Sequence, residues 1–135
     1  MRPLIIFGLI ALGLYTPLGT AQAQALHDTF ITSDEDGKVK FYQRNQEYIG
    51  QLVWSAKPTK DVNNPDPAKR DQSTVGQEVF FLKKTEDNEW EGEVYNSRDG
   101  RTYSVTVWFE DQQTLKVRGY VGHPWLGQTE TMFRE

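Results

Sequence analysis

The chain has 135 residues, no cysteine and a formal net charge of −4. That length holds one domain with a real core and leaves no room for two. The mild acidity argues against nucleic acid or an anionic lipid surface as partner. Without cysteine, neither a disulfide nor a lipid-modified cysteine anchor is available.

The first residues, Met1-Arg2-Pro3, are short and positive, and an apolar run follows from Leu4 to Leu14. A membrane-spanning helix needs about 20 apolar residues. The run is shorter and fits the core of a secretory leader, roughly 7–15 residues. Pro17-Leu18-Gly19 then breaks a helix, and Ala21-Gln22-Ala23 sets small residues where signal peptidase needs them. These features predict a cleavable leader over residues 1–23, cut after Ala23. Ala23-Gln24-Ala25 offers a second register, cut after Ala25. The expected product is a single soluble domain over 24–135, periplasmic or secreted, with no membrane anchor. Its core must close without the leader, the most hydrophobic stretch.

From there apolar residues recur at period two, the signature of strands with one buried face. Thr29 to Thr32 is a short first strand, and Ser33-Asp34-Glu35-Asp36-Gly37 a turn in which Asp-Gly supplies positive φ. Lys38 to Tyr42 puts Val39 and Phe41 on one face. Glu47 to Trp54 follows, with Gly50 marking a bulge or a close backbone approach. Ser55 to Thr74 breaks the pattern: it is polar and holds three of the six prolines, so it reads as a long loop. Strands resume at Gln77 to Lys83, Trp90 to Tyr95, Thr102 to Glu110, Thr114 to Val121 and Gln128 to Arg134. In the cleanest of them Tyr103, Val105, Val107 and Phe109 share a face. About eight short strands joined by tight turns predict an all-β fold, a single small antiparallel up-and-down β-barrel, because closure removes exposed strand edges. Such a barrel has room for side chains or one small ligand.

Three stretches carry a family resemblance: Asn64-Pro65-Asp66-Pro67 with Arg70; Trp90-Glu91-Gly92 leading to Asp99-Gly100-Arg101-Thr102-Tyr103; and Leu115 to Gly122 followed by Leu126-Gly127 and Thr129. In order and spacing they resemble the domain of unknown function 2147 family, small exported bacterial proteins. The resemblance implies a lipocalin- or streptavidin-like barrel and a periplasmic setting, and no activity. Members usually open with Gly-x-Trp, where this chain has Asp28 and Phe30, and end near Gly-Arg-Thr-Gln-Thr-Trp, where it has Gly127 to Met132. In barrels of this type an opening Trp packs on an Arg at one end. Here Phe30 is expected to stack under Arg134 or Arg118, with a weaker cation–π attraction.

No catalytic pattern is legible, and the chain is not read as an enzyme. No Gly-x-Ser-x-Gly and no paired histidines are present; His27 lies beside the predicted cleavage site, and His123, ahead of Pro124, reads as a solvated loop residue. Glu91 and Glu93 share a strand face that reads as solvent-exposed. Asp61 to Asp66 is rich in oxygen ligands, but Pro65 and Asp66 fall where a calcium loop needs an acid or amide and then Gly. Asn64 and Asp66 are expected instead to make side-chain turns that hold the long loop against the barrel. No cofactor or metal is expected. The function expected is binding of a small apolar or amphipathic molecule by a monomer. The ligand site is expected at a mouth between the Ser55–Thr74 and Gly122–Gly127 loops, with Trp54, Arg118, Tyr120 and Trp125 as ligand-binding residues. Alternation leaves open whether Arg118 faces inward or outward. The alternative is a module that docks on a cell-envelope protein and has no ligand cavity.

Overall fold

The computed structural model describes residues 25–123 and 127–135. The predicted leader and Trp125 lie outside the described residues. The strands are β1 (Asp28–Thr32), β2 (Gly37–Arg44), β3 (Glu47–Ser55), β4 (Glu78–Glu86), β5 (Glu89–Asn96), β6 (Arg101–Asp111), β7 (Thr114–Tyr120) and β8 (Gln128–Arg134). Each pairs antiparallel with the next, and β8 returns to β1, with Phe30 opposite Arg134 and Thr32 opposite Met132. The all-β, up-and-down barrel expected from the sequence is therefore the fold. A single 3-10 turn, Pro67–Lys69, sits in the long loop.

Period-two alternation places one row per strand inside. Val105, Val107 and Phe109 of β6 are buried, as are Val39 and Phe41 of β2, Phe80 and Leu82 of β4, and Leu115 and Val117 of β7. The large side chains crowd toward one end. Trp90, Phe30, Phe41 and Phe109 meet edge-on or tilted, with ring centroids 5.8–5.9 Å apart. Leu26, ahead of β1, joins the same core with 1% of its surface exposed. Each such side chain contributes about 1.5–3 kcal/mol by leaving water.

Arg134 completes this plug. Its guanidinium carbon lies 4.9 Å from the Phe30 ring centroid and 5.4 Å from that of Phe109. Nη1 pairs with Asp28 Oδ2 at 2.6 Å, and Nε donates to Gln112 O at 2.9 Å. Of the two arginines the sequence offered, Arg134 is the one that stacks on Phe30. Close packing also explains Gly50: a Cβ there would meet Phe80 and Phe41 atoms at 2.7–2.8 Å. The register to β4 shifts just after it, so both the bulge and the close approach occur.

Candidate functional site

The other end of the barrel is hollow. A cavity of about 770 Å³ opens between the β1–β2 turn, the β5–β6 turn and the β7–β8 connection. Its wall is apolar, formed by Leu52, Val79, Phe80, Val94, Val117 and Met132. Space exists because the inner row thins toward this end. Gly119 stands on the inner face, opposite Val105 and Gln128. A Cβ added there would meet nothing closer than Ser104 O at 4.0 Å. Unlike Gly50, this glycine is not required by crowding.

Charge gathers at the rim. Asp34, Asp36, Arg98 and Glu130 line the cavity. Glu130 lies on the same face of β8 as the buried Met132 and sits opposite the buried Val117. Arg98 Nη2 donates to Asp36 Oδ2 at 2.9 Å. Thr32 Oγ1 donates to the other carboxylate oxygen at 2.6 Å. The Thr32 hydroxyl holds the Asp36 carboxyl below the usual range, partial burial opposes it, and Arg98 adds to the lowering. The bonded turns lie four strand positions apart in an eight-strand ring, so the Asp36–Arg98 pair crosses the mouth.

The long loop does not form the mouth, contrary to the sequence expectation. None of residues 55–74 lines the cavity. The loop lies outside β5, where Asp61 is fully buried. Its carboxylate accepts from Tyr95 OH at 2.8 Å, Asn64 Nδ2 at 2.8 Å and Gln77 Nε2 at 3.1 Å. Burial would raise its pKa, but the three hydrogen bonds outweigh that and hold it below the usual carboxylate range. Burial, and then the bond to Asp61, push the Tyr95 hydroxyl up to about 12. Asn63 Nδ2 donates to Ser97 O and Arg98 O, which fixes the β5–β6 turn that carries Arg98. Asn64 Oδ1 accepts from the Asp66 N–H at 2.8 Å, and Asp66 Oδ1 from the Ala68 N–H at 3.0 Å, capping the 3-10 turn.

The residues expected to bind ligand are scattered. Arg118 takes the outer of its two alternatives, between Thr106 and Thr129, and Nη1 donates to Thr129 Oγ1 at 2.7 Å. Trp54 is also on the outer face, under Lys38 Nζ at 5.4 Å. Tyr120 lies at the cavity rim. Sequence reasoning missed Glu130, Gly119, Asp36 and Arg98. Two of them were within reach of it: counting by two from Met132 and from Val117 leads to Glu130 and Gly119.

Eight antiparallel strands closed around a cavity open at one end define a lipocalin-like barrel. The chain belongs to the domain of unknown function 2147 family, described as an uncharacterized protein conserved in bacteria, which matches residues 28–134. Among solved structures, it is similar to protein HP1028 of Helicobacter pylori, described as belonging to the lipocalin family. Identity is 25% and the TM-score 0.75, over 83% of this chain and 84% of that one. A redesigned β-barrel aligns at 13% identity and TM-score 0.45, over 82% of this chain and 91% of that one. Among curated proteins none matches.

Proposed function

We propose that this protein is an exported, monomeric binder of a small apolar or amphipathic molecule held in the barrel cavity, and that it carries out no catalysis. The observation that carries the reading is the cavity of about 770 Å³ with an apolar wall and polar rim. Small-molecule sites are commonly ~300–1,000 Å³ and share that division. Export is supported by the leader pattern over residues 1–23. The histidines give no support to catalysis: both are exposed, and neither lines the cavity.

Native mass spectrometry of protein purified from its own periplasm tests the reading. A co-purifying small molecule is expected with the native chain. Gly119→Phe extends into the cavity from a position where a Cβ meets nothing closer than 4.0 Å, so it is expected to fold normally and lose that molecule. A bare native spectrum, or full retention by a folded Gly119→Phe, sinks the proposal.

A second reading, docking on a cell-envelope protein, is favoured by one outer row. There Trp54 lies opposite Lys38, Lys38 opposite Ile31 and Ile31 opposite Phe133, with Trp54 and Phe133 both over 40% exposed. This reading predicts a partner whose capture survives Gly119→Phe and is lost with Trp54→Ser.

A further inference from the structure

The cavity also specifies the charge of what it holds. Resting on the reading that it takes a ligand, we propose that the ligand is an amphiphile with a cationic head. Its tail lies against Val79, Val94 and Met132, and its head sits at the mouth beside Glu130. Among the described residues, four charged side chains line the cavity, the carboxylates Asp34, Asp36 and Glu130 and the guanidinium Arg98. Arg98 is already bound to Asp36.

Of the two remaining carboxylates, Glu130 is on β8 and Asp34 is in the β1–β2 turn, two residues past the end of β1. The Ser33 N–H donates to Thr131 O at 3.0 Å and continues the β1–β8 ladder one step beyond Thr32 and Met132. The next residues along the two chains are Asp34 and Glu130. Residues 124–126, Pro-Trp-Leu, carry no charge and leave this balance unchanged. A positive head over the apolar well gains two anions beside it, close to low-dielectric walls that strengthen the attraction. A negative head meets the same two anions as repulsion. Arg98 offers it a cation whose charge Asp36 already offsets, and the Thr32 hydroxyl holds Asp36 in place.

Three probes with one tail length separate head charge from tail burial: decyltrimethylammonium, decanol and decanoate. Each is titrated calorimetrically below its micelle concentration into the full mature protein. The expected order is the ammonium tightest and decanoate weakest. Glu130→Gln should weaken the ammonium by about fivefold, the upper end for a solvent-accessible ion pair. It should leave decanol unchanged. Asp34→Asn should do the same, and neither rim substitution should shift the melting temperature. Decanol binding with no preference for the ammonium, tighter binding of decanoate, or an ammonium affinity unmoved by Glu130→Gln would each overturn the cationic assignment alone. If none of the three binds, the ligand-binding reading falls with it.

Discussion

Arg134 reaches across the closed end with a flat guanidinium, which stacks on rings in a way an ammonium cannot. It covers Phe30 and Phe109 and ties the ends of β1 and β8 to the β6–β7 turn. Arg134→Lys keeps the charge and loses the stacking and the forked hydrogen bonds, so urea denaturation should show a loss of about 1 kcal/mol. Phe30→Ala removes the ring beneath it and leaves a cavity, so its loss should be larger, about 3–5 kcal/mol. Equal losses would place the stabilisation in the stacking and forked hydrogen bonds of Arg134 rather than in the bulk of the Phe30 ring. The residue scale also shows where the sequence ran out. Val105, Val107 and Phe109 marked an inner face by contrast with their polar neighbours. Arg118 and Gly119 offered no such contrast, because the inner row near the mouth includes the polar Gln128 and Glu130. Beside a polar rim, both faces of a strand read as polar.

Among the elements, the long loop behaves as a brace. Its prolines and amides announced a loop, but not where it lies, because its main contact joins Asp61 to Tyr95 across 34 residues of chain. Asp61 is buried with a lowered pKa, so its contribution is present above the ordinary carboxylate value and is lost as pH falls through the lowered one. Tyr95 runs the other way. Its hydroxyl is raised from 10.0 to about 12, so its contribution is complete below pH 10 and disappears as pH rises toward 12. Stability measured between pH 9 and 12 should therefore fall in the native chain. Tyr95→Phe should remove that part of the fall and cost about 1.5–3 kcal/mol at neutral pH, the worth of a hydrogen bond to a charged acceptor. An unaltered alkaline limb would show that the loop is held by other contacts.

For the whole molecule, closure was legible because regular turns and eight alternating strands leave edges that only a ring removes. The ring is not equally strong all round. β5 and β6 are paired at eight positions, Glu89 to Asn96, whereas β1 and β8 are paired at three. Native-state hydrogen exchange should therefore find the β1 and β8 amides opening at lower free energy than those of β5 and β6. Uniform protection would mean that the aromatic plug, and not the ladder, governs opening. The Asp36–Arg98 pair has a kinetic meaning of its own. A strut across the opening leaves two narrow windows in place of one wide port, so a flexible chain can thread past it while a rigid polycycle must wait for it to break. For an uncharged guest, salt or Arg98→Ala should then quicken loading and unloading alike. How tightly the guest is held would stay the same.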